Sequence, residues 1–301
     1  MSAPVATSPA PTAVRELGGR RSSRFQSGDP VVLGAFLVLA TIALCALMPA
    51  TLAPHPPNQQ QITMRLRPPV WMARGNPAHP LGTDQLGRDI LSRVIHGARI
   101  SLIVALSALA ISGTIGVTIG LVAGYYRGWL DDWIMRIADV QLSIPYVLLA
   151  IAIIAVIGPT NRNVVLVLAL NGWVVYARLA RGQALSLRER EFIQAYRALG
   201  ARDWRIVLQH ILPNLVSAVI VVGSLELAGI ITLESSLSFL GLGIQPPTVS
   251  WGFMLADGRT YLLGGAWWVV TFPGLAITAI VLSINVLADW LRDVLDPRLK
   301  L

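Results

Sequence analysis

Six long apolar stretches, over 31–48, 100–126, 140–158, 164–177, 215–239 and 266–288, decide what this 301-residue chain can fold into. A bilayer core of about 30 Å is crossed by about twenty apolar residues in a helix, which satisfies its own backbone hydrogen bonds where no water can. The fourth stretch is short and needs Asn163 and the stems of Arg178 or Arg181 to complete a crossing. The expected fold class is all-α, a polytopic membrane protein of six transmembrane helices. Composition agrees: 13% of residues are charged, the mean hydropathy is +0.62, and a soluble domain carries about 25% charged residues.

The net charge of +8 would fit a nucleic-acid binder if the basic residues formed one stripe on a soluble domain. They lie instead between the apolar stretches, where orientation is read, so the expected partner is the lipid bilayer and no nucleic acid. Arg15, Arg20, Arg21 and Arg24 precede the first span and put the N-terminus in the cytoplasm; six spans return the C-terminus to that side. The arginines from Arg178 to Arg205 then fall inside too. Those in the 50–98 loop fall outside, which a long loop tolerates. The expected organisation is a disordered cytoplasmic tail over 1–30, a first transmembrane helix over 31–49, and an extracytoplasmic loop with an interfacial helix over 50–98. A core of helices two to six follows over 99–290, with a cytoplasmic loop at 182–213, then a cytoplasmic tail over 291–301. A cleaved signal is disfavoured, because the first apolar stretch exceeds the usual h-region of about 7 to 15 residues. Cys45 stands alone, so no intrachain disulfide exists, and it reads as lipid-facing.

Several chemistries are missing. Lys300 is the one lysine and only Leu301 follows it, so no phosphate-cradling GxxxxGK[ST] loop and no SxxK nucleophile can be built. His55, His79, His96 and His210 are scattered, which leaves no HExxH zinc site. The chain reads as not an enzyme, with no catalytic residue, metal site or cofactor of its own.

The most informative segment is the cytoplasmic loop SLREREFIQAYRALGARDWRIVLQHILPN from Ser186. Ser186 with Glu189 fits a capping box, which predicts a helix carrying Phe192, Ile193, Tyr196 and Leu199 at helical spacing and ending at Gly200. Asp203 can cap a second helix with Trp204, Val207, Leu208 and Ile211 on one face, up to Pro213. Such a stripe is either buried under the chain's other loops or presented to a partner.

This loop resembles the EAA loop of the permease subunits of binding-protein-dependent ABC importers, a pattern of Glu-Ala-Ala, three residues, Gly, then Leu-Pro. Here it reads Gln194, Ala195, Tyr196, then Gly200, then Leu212 and Pro213. Gln194 and Tyr196 depart from the pattern, and Glu191 lies one turn earlier. Two more stretches, HPLGTDQLGRDILSRVIHGARISL over 79–102 and ESSLSFLGLGIQPPTVSWGFML over 234–255, are similar to the C-type permease of dipeptide and oligopeptide importers. The resemblance implies a type I ABC importer permease fold in a bacterial inner membrane and import of di- or oligopeptides. It implies a second, homologous permease subunit forming a heterodimer, two ATP-binding cassette subunits that hydrolyse ATP with magnesium, and an extracytoplasmic substrate-binding protein. It places coupling to the ATPases on Glu191, Phe192, Gln194, Ala195, Tyr196, Gly200, Trp204, Leu212 and Pro213. Nickel, glutathione or another small solute is an alternative cargo; an ion-coupled secondary carrier and a membrane scaffold are readings of other classes.

In TDQLGRDILSRVIHG, Thr83 or Asp84 can cap an interfacial helix bearing Leu86, Ile90, Leu91, Val94 and Ile95 on one face, with Asp89 and Arg93 paired four apart. That helix is either a ledge where the binding protein docks or a structural anchor. Gly116, Gly120 and Gly124, four apart, predict close helix packing. Glu226 and Glu234 fall in the fifth span, where a carboxylate costs about 2–3 kcal/mol unless it faces protein or water. With Asn171 they are the candidates for a translocation pathway. Glu226 is equally readable as a clasp with Asn171 or Asn285, and Glu234 reads foremost as structural. Asp139 is expected to pair with Arg136. The Gly- and Pro-rich segment 241–265, with Trp251, Trp267 and Trp268 about it, reads as an outer loop, its tryptophans an interfacial belt or a border of the substrate entrance.

Overall fold

The structure, a computed structural model, describes residues 29–295; of the expected tails over 1–30 and 291–301, residues 1–28 and 296–301, with Lys300 and the N-terminal arginines, lie outside the described residues, and 291–295 continue the last helix. The first helix, α1 (Pro30–Leu47), starts at Asp29, whose carboxylate accepts from the Val31 amide at 2.9 Å. Pro30 takes the first helical position, where a missing N–H is no loss. A single turn, α2 (Pro49–Leu52), follows, and the chain to 89 is irregular apart from a 3-10 turn at Ile62–Met64.

The expected interfacial helix from Thr83 or Asp84 does not form. The Asp84 carboxylate folds back on the Leu86 and Arg88 amides, both at 2.9 Å, and closes a turn instead. Asp89 is the cap that works, accepting from the Ser92 amide at 2.8 Å and opening α3 (Ile90–Tyr126), so Ile90, Val94 and Ile95 belong to the first turns of a long helix. Occupied by this cap and by His79 at 3.0 Å, Asp89 does not pair with Arg93, which reaches Asp84 at 3.5 Å and the Pro57 carbonyl at 3.1 Å.

The third apolar stretch is not a straight span. It breaks into α4 (Trp129–Ser143) and α5 (Tyr146–Ile157), bent by 92°. Pro145 has no amide proton and disfavours helical backbone at the residue before it, and Ile144 is accordingly extended at φ −98°, ψ 126°. The short fourth stretch is the middle of a longer helix, α6 (Asn161–Arg188). Its polar end is held by Arg181, which donates two bonds to Asp131 at 2.5 and 2.7 Å. Gln141 ties α4 to α6 by donating to the Leu170 carbonyl and accepting from the Trp173 indole. That docking brings Asp139 to Arg178 at 2.6 Å rather than to Arg136.

Beyond α6 come α7 (Glu191–Ala198), α8 (Asp203–Ile206), a π-helical turn at Val207–Ile211, α9 (Leu212–Phe239), α10 (Trp251–Leu262) and α11 (Trp268–Leu295). Five helical stretches are long and apolar enough to cross a membrane, and the bent pair makes a sixth if counted as one span. Among the described residues there is no strand, and the fold is all-α.

The 241–265 segment is more than a loop: it contains α10, capped by Ser250, which accepts from the Phe253 amide. Trp251 and Trp268 are buried rather than belted at an interface, because each indole N–H finds a carbonyl, Val94 at 2.8 Å and Thr83 at 3.1 Å. These bonds lock α10, α11 and the 53–89 segment to the start of α3 at one end of the bundle. Cys45 is partly buried against the core rather than fully lipid-facing.

The centre of the bundle is the α3–α6 seam. A Cβ at Gly116, Gly120 or Gly124 would lie 2.3, 2.2 and 2.6 Å from the carbonyl oxygens of Trp173, Ala177 and Arg181. The three glycines therefore let one backbone rest on the other, as small residues do where lipid offers no hydrophobic drive to helix association.

Candidate functional site

At the other end of the bundle, the segment after α6 builds a helix pair on the ends of α3 and α6. Ser186 does not open α7: α6 runs through it to Arg188, and Glu189 leaves the helix to meet Arg127 at 2.5 Å. The Arg127 guanidinium holds the Glu189 carboxyl below the usual carboxylate range. α7 begins at Glu191, whose charge suits the positive end of a helix. It closes at Gly200, where φ is +81°. The Ala201 amide donates to the Tyr196 carbonyl and the Gly200 amide to the Arg197 carbonyl, which satisfies the last carbonyls of the helix.

Asp203 is not the cap of α8 but its first residue, because its carboxylate is engaged elsewhere: Tyr125, at the end of α3, donates to it at 2.6 Å. Tyr125 is the hub of this end. Its hydroxyl accepts from Arg197 at 3.0 Å, its carbonyl accepts from Arg188, and both guanidinium groups lie within 5.6 Å of its ring centroid. The sequence reading did not single out Tyr125, Arg188 or Arg197; the only signal was the aromatic pair Tyr125 and Tyr126 at the end of an apolar stretch.

The apolar stripe divides in two. Ile193, Ile206 and Ile211 are fully buried against Leu121, Ala180, Ala184, Leu187 and Leu215. Phe192, Tyr196, Leu199, Trp204 and Leu208 are exposed, Leu199 at 84%. Tyr196 stacks on His210 at 4.1 Å between ring centroids, tying α7 to the π turn. Glu191, Gln194, Ala195, Gly200 and Pro213 are exposed beside these residues, and Leu212 is half-buried. The π turn ends at Ile211 and α9 starts at Leu212, with Pro213, which lacks an amide proton, in its first turn, so α8 passes through the π turn into α9 as a nearly continuous helix. α8 is thereby joined to α9, and Tyr125 with Arg188 and Arg197 joins this helix pair to the ends of α3 and α6.

The two span carboxylates occupy opposite environments. Glu234 is fully buried and surrounded by serines: Ser238 donates at 2.8 Å, Ser235 lies at 3.5 Å, and Ser250 also bonds to it. Among the described residues, Glu226 accepts no hydrogen bond and makes no ion pair, and neither Asn171 nor Asn285 clasps it. It is half-buried midway along α9, facing Gly172 of α6. Asn171 is half-buried next to that glycine.

Residues 116–301, more than half of the chain, match the family of binding-protein-dependent transport system inner membrane components. The chain is 43% identical over 268 residues to the di/tripeptide transport system permease protein DppC of Pseudomonas aeruginosa, covering 89% of this chain and 88% of that one. It is 39% identical over 271 residues to the probable D,D-dipeptide transport system permease protein DdpC of Escherichia coli, covering 90% and 89%. Among solved structures, a chain of the inward-facing MetNI methionine ABC transporter superposes with a TM-score of 0.57 at 18% identity, covering 69% of this chain and 98% of that one, which is likeness of fold.

Proposed function

The chain belongs to the binding-protein-dependent transport system inner membrane components, and from that premise we propose that it is a permease subunit of an ATP-binding-cassette importer carrying di- and oligopeptides into the cell. The carrying observation is the exposed face of Phe192, Tyr196, Leu199 and Trp204, at one end of a bundle whose relatives over nine-tenths of its length are peptide permeases. Family membership sets aside the ion-driven carrier and the scaffold.

The ATP chemistry belongs to other chains. The single lysine, Lys300, stands between Leu299 and Leu301 where a phosphate loop needs Gly before it and Ser or Thr after it, so ATP and magnesium are bound and hydrolysed on two partner subunits. Those subunits grip the exposed α7–α8 face, and their closure moves α7, α8 and α9 as one lever because Ile193 and Ile206 are clamped on α3 and α6. A second, homologous permease completes the passage as a heterodimer. An extracytoplasmic binding protein delivers cargo at the opposite end, where 53–89 is locked to α10 and α11. The assembly lies in a bacterial inner membrane, with the α7–α8 end and both termini in the cytoplasm, as the arginine distribution directs.

The test is uptake into proteoliposomes holding this chain, its second permease, the ATPases and the binding protein. Alanyl-alanine uptake is expected, requiring ATP and every subunit. Uptake of nickel or glutathione with none of the dipeptide would reassign the cargo. Uptake that survives removal of the ATPases and follows a proton gradient would overturn the coupling.

A further inference from the structure

Midway through the bundle, α3, α6 and α9 enclose an open cavity of about 530 Å³ lined by Leu109, Thr114, Tyr176, Ile220, Ser224 and Leu227. Its walls are mostly apolar, and its volume is that of sites which hold small organic ligands. Tyr176 is buried, yet its hydroxyl makes no hydrogen bond among the described residues; it reaches α9 at Gly223, where a Cβ would be 3.2 Å away. Glu226 lies one turn along α9 from Gly223, close enough to Tyr176 for the two to interact electrostatically. A Cβ on Gly172 would stand 3.9 Å from Glu226 Oε2 and 2.9 Å from Ser112 Oγ, so the glycine keeps the space beside the carboxylate open.

Tyr176 thus lines the cavity, and Glu226, one turn along α9 from the lining residue Gly223, flanks it; among the described residues neither side chain has a hydrogen-bond partner. Glu234, on the same helix, shows the alternative that this fold provides for a structural carboxylate: complete burial among serines. We infer that Glu226, assisted by the Tyr176 hydroxyl, receives the α-ammonium group of the peptide during translocation, with the apolar walls of the cavity accepting its side chains. A carboxylate suits this ligand because the ammonium presents three donors and a full charge, and charge-assisted bonds are strong where water is scarce. The inference rests on the peptide-import reading.

The experiment compares ATP-driven uptake of alanyl-alanine and of propionyl-alanine, the same skeleton without the ammonium, in proteoliposomes holding the full complex. Glu226→Gln is expected to lower uptake of alanyl-alanine at least about tenfold, change that of propionyl-alanine less than about twofold, and leave assembly intact. Glu226→Asp should restore most of the difference, and Tyr176→Phe should show a smaller loss of the same kind. Equal effects on both compounds, or no effect on either, would overturn the assignment. So would failure of the Glu226→Gln chain to assemble, which would make the carboxylate a packing group. A wild-type complex that imports no alanyl-alanine would instead refute peptide import itself.

Discussion

Gly200→Val is expected to reduce ATP-driven uptake at least about tenfold while the chain still inserts in the membrane and pairs with the second permease. At φ +81° a side chain meets its own backbone, a cost of about 1–2 kcal/mol for an ordinary residue, and valine's branching adds to it. Nothing else stands in the way, since a Cβ at this glycine has no neighbour within 4 Å. The strain therefore acts through the backbone alone: the bonds from Ala201 to Tyr196 and from Gly200 to Arg197 are lost, and α7 no longer meets α8 at its native angle. Phe192 and Tyr196, exposed on α7, are then displaced relative to Trp204 on α8. Gly200→Asn, which tolerates the left-handed region, should keep most of the uptake. Valine and asparagine variants of equal activity would show that the angle at this turn does not matter.

Gly120→Val should have the larger effect on the protein itself, lowering the amount of assembled chain in the membrane several-fold. Its Cβ would lie 2.2 Å from the Ala177 carbonyl oxygen and 2.8 Å from that residue's Cα. Both are backbone atoms that cannot rotate away, so α3 and α6 must part along the whole glycine seam. Overpacking costs about 1–3 kcal/mol in well-packed cores, and here the displacement also spoils the neighbouring contacts at Gly116 and Gly124. Gly120→Ala should suffer too, because the clash begins at Cβ. Gly229→Ala, whose Cβ would meet nothing within 4 Å, is the matched control. Normal assembly of both Gly120 variants, measured by detergent extraction and pull-down of the second permease, would contradict this packing.

The sequence made the helices legible because lipid demands long apolar stretches, and the 3.6-residue stripe around Phe192 and Trp204 located the helix pair with Gly200 at its turn. What it concealed were competitions between partners. Ser186, Asp84 and Asp203 are each good capping residues, yet α6 simply continues through Ser186, Asp84 closes a turn and Asp203 bonds to Tyr125. Local capping rules cannot see a tyrosine 78 residues away. The break before Pro145 was readable in principle, since proline disfavours helix at the residue preceding it, but an unbroken apolar stretch outweighed it. The tryptophans read as belt or entrance residues because composition cannot tell an interfacial indole from a buried one whose N–H finds a carbonyl across the fold. The sequence separated Glu234, read foremost as structural, from Glu226, but not the partners of each, which depend on what α6 and α10 present to them.

The central claim, that partner ATPases grip the exposed α7–α8 face on the cytoplasmic side, is tested most directly by thiol accessibility. In a Cys45→Ser background, single cysteines replace Leu199, the most exposed residue of that face, and Ala73, exposed on the segment before α3 at the opposite end. A membrane-impermeant maleimide applied to intact cells should label position 73 and not 199. In inverted vesicles it should label position 199 when the permease pair is alone, and at least about tenfold more slowly once the ATPase subunits are bound, since a docked partner excludes reagent from the hot centre of an interface. Labelling of position 199 from outside the cell, or at the same rate with and without the ATPases, would contradict the account.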